Sequence, residues 1–193
     1  MKNILREIRT GIIATIVFVV IVSGIYPLIV WGIAQGLFPH EAGGSLIIKD
    51  GKILGSRLIA QGFTGLQYFH PRPSSAGTGY DSTSSAGSNL GPLSKTLVDT
   101  IRQRVTKYRT ENNLEPFILV PADALTASGS GLDPHISPEN ALLQTQRVAK
   151  ARGMSEKAIR RKIAANTQGR DMDIFGEPRV NVLMLNLDLD RNK

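Results

Sequence analysis

The chain has 193 residues, a formal charge of +7 and no cysteine, which excludes disulfide frameworks and thiolate metal sites. Residues 1–10 carry +2 of this charge, and the remaining +5 is too small and too dispersed to indicate a nucleic-acid-binding protein. Once an apolar N-terminal segment is set aside, about 150 residues remain, which is enough for one ordinary domain.

The apolar segment occupies residues 11–38 and contains no acidic residue, no basic residue and no histidine. About 20 apolar residues cross a bilayer as a helix, the conformation that satisfies every backbone polar group inside lipid. A cleaved secretory signal has an apolar core of only about 7–15 residues. We therefore predict a retained transmembrane helix between a short flank, residues 1–10, and an extramembrane domain, residues 39–193.

The charges on the two sides of this segment differ. Lys2, Arg6 and Arg9 crowd the flank, whereas the first basic residue on the far side is Lys49. Basic residues favour the cytoplasmic side of a membrane helix. The sequence therefore predicts a cytoplasmic N-terminus and a domain in the periplasm or outside the cell.

Small residues recur within the predicted helix. Gly24, Gly32 and Gly36 are spaced by eight and four residues, so they share one face. Gly32-xxx-Gly36 is the pattern that lets another helix approach closely, and we expect helix packing along this face. Pro27 lacks a backbone donor and predicts a kink.

A hairpin and a long irregular stretch follow the membrane segment. Apolar runs at residues 45–48 and 52–54 flank Asp50-Gly51, which predicts a β-hairpin. Residues 61–92 are rich in Gly, Ser and Pro, a composition typical of flexible linkers. Aromatic residues interrupt this stretch, so we predict instead an ordered loop pinned by the rings of Phe63, Tyr68, Phe69 and Tyr80.

The second half of the chain alternates helical and extended patterns, which predicts a loop-rich α+β domain. Capping serines precede the predicted helices, and Met154 with Ile159 predicts a hydrophobic staple. The predicted elements are a helix over residues 94–113, a buried strand over 117–120, one or two helical turns over 121–126, a helix over 137–152 that ends at Gly153, a helix over 155–166 and a central strand over 180–189.

Residues 128–135 combine two serines with Asp133 and His135, which suggests a hydrolase. The nucleophile elbow requires G-x-S-x-G, and position 128 is not glycine. We interpret the segment as a tight turn in which Gly129 and Gly131 adopt positive φ. These glycines do not complete a phosphate-binding motif, and the three histidines with Asp133 match no zinc or calcium spacing.

Basic side chains are densest between residues 147 and 162. Such a region can bind anionic head groups or nucleic acid. Because few aromatic residues are interleaved, we interpret it as a solvated helix face. Its members are Arg147, Lys150, Arg152, Lys157, Arg160, Arg161 and Lys162.

Three segments are long and idiosyncratic: YFHPRPSSAGTGYDSTSSAGSNLGP at 68–92, VPADALTASGSGLDPHISPENALLQTQRVAKARG at 120–153 and VNVLMLNLDLD at 180–190. With the single N-terminal anchor, they make the chain resemble the C subunit of the Kdp potassium-transporting ATPase over essentially its whole length. The most specific phrases are Tyr-Phe-His-Pro-Arg-Pro and Ser-Gly-Ser-Gly-Leu-Asp-Pro-His-Ile-Ser.

The resemblance implies a non-catalytic accessory subunit of a high-affinity potassium uptake pump in the bacterial inner membrane. Its partners would be a channel-like potassium-selective subunit, a P-type ATPase subunit and a very small single-helix subunit. ATP and potassium would be handled by those partners, with no cofactor bound by this chain itself. The subunit would be needed for assembly and would act as a catalytic chaperone that raises the ATP affinity of the pump subunit.

Two points stay open at the level of sequence. An anchored extracytoplasmic ligand-binding or hydrolase domain is the alternative function. If the domain is outside, it either covers the potassium entrance or modulates ATP affinity at a distance. The candidate partner-contact residues lie in the segments 68–92 and 120–153 and are Tyr68, Phe69, His70, Arg72, Asp133 and His135.

Overall fold

The computed structural model describes residues 2–191, which separate into two compact units, one up to Ile53 and one from Leu54 onward. The first unit consists mainly of one long helix. Its segments are α1 (Lys2–Phe18), a π-helical segment (Val19–Ile25), α2 (Tyr26–Leu37) and the short α3 (Pro39–Ala42). The continuous helix Asn3–Leu37 is long and apolar enough to cross a membrane, and its most apolar window has no residue buried within the chain.

The π-helical segment explains how the helix accommodates Pro27. A proline at this position cannot donate to the carbonyl four residues earlier, and its ring crowds that carbonyl. The turn before it widens, so that the Tyr26 N–H donates to the Ile21 carbonyl, five residues back. The structure thus has a π-helical turn before Pro27, and the kink predicted there stays a prediction. The helix also begins earlier than predicted, since residues 2–10 are part of α1.

The predicted hairpin is confirmed. Strands β1 (Leu46–Lys49) and β2 (Lys52–Ser56) form a two-stranded sheet. Asp50 and Gly51 between them have φ values of 51° and 72°. Two consecutive left-handed residues are what the tight two-residue hairpin turn requires, and Asp-Gly is a favoured pair for it.

The second unit is the α+β domain. Its elements are α4 (Lys95–Asn112), α5 (Ala122–Leu125), β3 (His135–Ile136), α6 (Pro138–Leu143), α7 (Thr145–Arg152), α8 (Glu156–Ala165), β4 (Thr167–Gln168), β5 (Arg179–Asn181) and α9 (Val182–Asp190). The three strands form an antiparallel sheet in the order β3-β5-β4. Val180 at its centre pairs with Ile136 on one side and Thr167 on the other.

Most predicted helix boundaries are confirmed by cap geometry. Ser94, Ser137 and Ser155 each accept a backbone N–H of the first turn of their helix. Asn113 and Gly153 end α4 and α7 in the left-handed conformation. The helix predicted over residues 137–152 is interrupted at Gln144, which separates α6 from α7.

The strand predicted over residues 117–120 is wrong. This run forms a turn in which the Ile118 N–H donates to the Glu115 carbonyl, and Phe117 and Leu119 are 78% and 88% exposed. Apolar character alone suggested a buried strand. The run is too short, with a proline on each side, to reach a neighbouring strand.

The strand predicted over residues 180–189 is wrong for most of its length. Only Val180 and Asn181 of this run belong to β5, which is central in its sheet as predicted, and residues 182–190 form α9. The Asn181 side chain accepts the Met184 N–H and so caps the helix. A continuous apolar run carries no period that separates a buried helix from a buried strand, and leucine and methionine are strong helix formers.

The core of the domain lies among α6, α7, α8, α9 and the sheet. Met154 packs against this core together with Phe63, and its direct contact with Ile159 stays a prediction. Phe69 reaches the same core from the irregular stretch 61–92 and is completely buried. The core residues are Phe69, Ile136, Ala141, Val148, Ala149, Ile159, Ile163, Val180, Val182, Leu185 and Leu189.

Candidate functional site

A cleft of about 970 Å³ lies on the surface of the domain. It lies between the segment 119–123, which leads into α5, and the segment 176–179, which leads into β5. Strand β3 and the first turn of α6 complete its lining. Three of the candidate residues from the sequence, Arg72, Asp133 and His135, line this cleft.

These three residues form one charged cluster, although Arg72 is 61 positions from Asp133 in sequence. Arg72 Nη1 donates to Asp133 Oδ2 at 3.0 Å. The other oxygen, Oδ1, accepts the His135 backbone N–H at 3.0 Å and lies 3.2 Å from His135 Nδ1. Asp133 therefore joins the segments 68–92 and 120–153 through its side chain.

The Asp133 carboxylate is held in its charged form. Burial acts to raise its pKa, but the hydrogen bonds from His135 and the positive charge of Arg72 outweigh burial, so the pKa of Asp133 is lower than usual for Asp. The cluster thus presents a fixed ion pair at neutral pH. The Arg72–Asp133 ion pair therefore places two opposite charges at fixed positions on the cleft wall.

A second carboxylate that lines the cleft, Asp123, joins two helices. Asp123 of α5 accepts the Ser137 N–H at 2.8 Å, the Ser137 hydroxyl at 3.0 Å and the Asn140 side-chain amide at 2.9 Å. These bonds join α5 to the start of α6. Two separate helix ends are therefore held at a fixed distance by one side chain.

The predicted tight turn at residues 128–135 is present, with one correction. Gly131 adopts positive φ, at 68°, but Gly129 does not. A Cβ atom on Gly131 would lie only 2.6 Å from the Ala86 carbonyl oxygen and 2.7 Å from the Ala76 nitrogen. Gly131 is therefore required both by backbone conformation and by the close approach of the irregular loop.

The comparison with known proteins identifies the family. A protein-family model described as "KdpC: K+-transporting ATPase, c chain" matches residues 8–191. The chain is 50% identical to the potassium-transporting ATPase KdpC subunit of Mycobacterium tuberculosis over 186 residues, which cover 96% of this chain and 98% of that protein. The chain belongs to the KdpC family. It is also 48% identical to the KdpC subunit of Koribacter versatilis and 51% identical to that of Beijerinckia indica, over 96% of this chain and 94% of each relative.

The other candidate residues of this KdpC-family chain lie outside the charged cluster. The Tyr68 hydroxyl donates to Asp190 of α9 at 3.2 Å, and the Arg152 guanidinium lies over the Tyr68 ring at 5.1 Å. Burial raises the pKa of Tyr68, and the charge of Asp190 adds to this effect. Phe69 is a core residue, so its side chain offers no surface to a partner.

His70 lines a separate cavity of about 370 Å³. Its Nε2 lies 3.2 Å from the Gly65 carbonyl oxygen and 3.5 Å from Arg147 Nη1, and its Nδ1 lies 3.8 Å from Glu111. Burial lowers the pKa of His70, and the positive charge of Arg147 lowers it further. The ring is thus held in its neutral form.

Arg147 is not the solvated side chain that the basic region predicted. It is buried and donates to the backbone carbonyls of Leu66 and Tyr68 at 2.7 and 2.9 Å, as well as to Asn112 and Gln144. The long irregular stretch is therefore held by helix side chains instead of by a strand ladder. Ala141 and Val148 are apolar and lie seven residues apart, about two helical turns, which indicated that one side of this helical region faces inward. No sequence motif indicates that Arg147 would be buried and would bind backbone carbonyls.

The three candidate packing glycines of the helix have no neighbouring side chain or backbone from elsewhere in the described residues. A Cβ atom built on Gly24, Gly32 or Gly36 meets no atom within 4 Å. Gly24 lies in the π-helical segment, whereas Gly32 and Gly36 lie in α2. The packing of this glycine face against a second helix stays a prediction.

Proposed function

We propose that this chain is the non-catalytic accessory C subunit of a bacterial potassium pump, required for assembly and for high ATP affinity of the pump subunit. The observation that carries the proposal is the family match over residues 8–191, which includes both the apolar helix and the domain. The curated relatives are named as subunits of a potassium-transporting ATPase.

The partners proposed are the channel-like potassium-selective subunit, the P-type ATPase subunit and the very small single-helix subunit. Contact within the bilayer is assigned to Gly32 and Gly36, where a neighbouring backbone can approach closely. Contact outside the bilayer is assigned to the cleft that Arg72, Asp133 and His135 line. Leu119 at the cleft is 88% exposed and adds an apolar side chain to this proposed contact.

The location proposed for the domain is the outer side of the inner membrane, on the charge bias of the N-terminal flank. ATP is bound by the pump subunit in the cytoplasm. The apolar core of the bilayer alone is about 30 Å thick, so the domain would not touch the nucleotide. Its effect on ATP affinity would arise because the chain binds one pump conformation more tightly than another, and such coupling is worth about 1–3 kcal/mol.

The experiment compares the partner subunits expressed with and without this chain. ATPase activity is measured at saturating potassium while ATP is varied, and then at saturating ATP while potassium is varied. We expect the KM for ATP to be about 5–150-fold higher without the chain. A change confined to the KM for potassium would instead indicate a cover over the potassium entrance, and unchanged values for both would contradict the proposal.

Loss of assembly without the chain would prevent this comparison. The fraction of complex that still assembles with the Leu119→Asp chain, at the lower recovery expected of this variant, then replaces the deletion. Its KM for ATP is measured beside that of the parent complex. The chain purified alone serves as a test of the alternative function, because ester hydrolysis by the lone chain would favour an anchored hydrolase.

A further inference from the structure

The two sides of α8 differ in character. Ile159 and Ile163 face the core and are 0% and 3% exposed. Lys157, Arg160 and Arg161 lie on the other side of the helix and are exposed to solvent. With 3.6 residues per turn, these three cations occupy a single stripe within about two turns. The outward face of α8 is therefore strongly basic.

The structure divides the basic region into two groups. Arg147, Arg152 and Lys162 are used inside the domain: Arg147 bonds backbone carbonyls, Arg152 pairs with Asp190 at 2.9 Å, and Lys162 pairs with Asp188 at 3.1 Å. These three support the fold and contribute nothing to an outward charge. The second group is exposed and consists of Lys157, Arg160 and Arg161 on the stripe of α8 and Lys150 on α7.

The charges of the stripe are almost unneutralised by the chain itself. Within residues 2–191, Lys157 and Arg161 form no ion pair. Arg160 lies 3.6 Å from Glu156, and both side chains of that pair are about half exposed. An exposed pair one helical turn apart is weak. Three adjacent cations thus face one partly neutralising acid, and an anionic surface would relieve their mutual repulsion.

We propose that the outward face of α8 docks onto the anionic head groups of the bilayer to which the chain is anchored. The positive charge of the stripe complements the negative charge of the lipid head groups. The N-terminal helix, as a membrane anchor, keeps the domain near the bilayer surface. The stripe lacks the aromatic side chains that stack on nucleic-acid bases, which favours lipid over nucleic acid. Each Lys or Arg near an anionic surface raises the docked population about fivefold. The inference rests on the membrane anchoring and not on the pump role.

The test uses the full chain in lipid vesicles. Because the chain has no cysteine, a single Ala164→Cys on the same face can carry an environment-sensitive fluorophore. Two kinds of vesicle are compared, one with phosphatidylcholine and one with phosphatidylcholine and phosphatidylglycerol. Each kind also contains the same small amount of a neutral lipid that carries a quencher on its head group. We expect quenching to be stronger with phosphatidylglycerol and to fall as salt is raised, because salt shortens the range of the attraction.

The triple variant Lys157→Gln, Arg160→Gln, Arg161→Gln is expected to lower the docked population by a factor on the order of 100 and to abolish the dependence on phosphatidylglycerol. The matched control, Lys95→Gln, Arg102→Gln, Lys107→Gln, removes the same charge from exposed positions of α4 and should behave as the parent. Equal quenching in the two lipids, or equal losses in the two variants, would overturn the proposal. Failure of the chain to associate with either vesicle would instead contradict the anchoring itself.

Discussion

Asn186 of α9 binds the backbone of Phe69 through both of its polar atoms. Its Oδ1 accepts the Phe69 N–H at 2.8 Å, and its Nδ2 donates to the Phe69 carbonyl at 3.0 Å. Both residues are completely or almost completely buried. Gln144 binds the backbone of the neighbouring His70 in the same way: its Oε1 accepts the His70 N–H at 2.7 Å, and its Nε2 donates to the His70 carbonyl at 3.2 Å. Side-chain amides thus provide the pairing that a neighbouring strand would otherwise give.

Replacing Asn186 with leucine is expected to destabilise the domain by about 2–5 kcal/mol, because a buried N–H and a buried C=O both lose their partners. Asn186→Asp keeps the acceptor but places a carboxylate oxygen against the buried Phe69 carbonyl, so its cost should be at least as large. Denaturant unfolding of the full chain in detergent measures both changes, and amide exchange at Phe69 reports the local effect. An Asn186→Leu variant as stable as the parent would contradict this account of the loop.

Acidification is expected to weaken the fold through His70. Burial and Arg147 lower the pKa of His70, so the folded chain favours the neutral ring. In the unfolded chain the ring titrates near pH ~6.5. The free energy of unfolding is therefore unaffected by His70 above about pH 6.5 and decreases as the pH falls below that value. The reason is that the His70 ring takes up a proton more readily in the unfolded chain than in the folded one.

The measurement is the unfolding midpoint of the parent and of His70→Gln at a series of pH values below 7. The variant is expected to lose less stability than the parent over this range. Parallel pH profiles for the two chains would show that His70 does not contribute.

The glycine face of α2 is expected to contact a partner helix. Gly32→Leu with Gly36→Leu should reduce co-purification with the other subunits, because two leucines prevent close approach of the helix backbones. Gly11→Leu is the matched control, since a Cβ atom there also meets nothing within 4 Å but lies in α1. Undiminished recovery of partners by the doubly substituted chain would remove this contact from the proposal.

Leu119 at the cleft is expected to contribute to contact with a partner outside the bilayer. Leu119→Asp should leave the fold intact, because the residue is 88% exposed, while lowering the recovery of the partner subunits. Leu93 is 95% exposed and lies just before α4, away from the residues that line the cleft, so Leu93→Asp is the matched control. Equal recovery with both variants would argue that the cleft is not an interface.

The sequence predicted those features that depend on local rules. Serine caps, the left-handed Asn113 and Gly153, and the Asp50-Gly51 turn all depend on neighbouring residues alone. The membrane segment follows in the same way from its length and apolar composition. Each of these features is encoded within a few residues of where it occurs.

Features that depend on tertiary context could not be predicted. The apolar run after Asn181 has no period that distinguishes a helix from a strand, and its α-helical form follows from its cap and its packing. The burial of Arg147 and the joining of Arg72 to Asp133 each require contacts between residues more than 60 positions apart. Composition therefore indicated an irregular loop but not the side chains that hold it.

The central claim is that the domain lies on the outer side of the membrane and affects ATP affinity only at a distance. A measurement of the side on which the domain lies tests this claim most directly. Exposed Ser88 and Gln103 are replaced one at a time by cysteine in a chain that has none of its own. Intact cells are then treated with a thiol reagent that does not cross the membrane. We predict labelling of both variants in intact cells. Labelling of both only after the membrane is broken would place the domain in the cytoplasm and contradict the account.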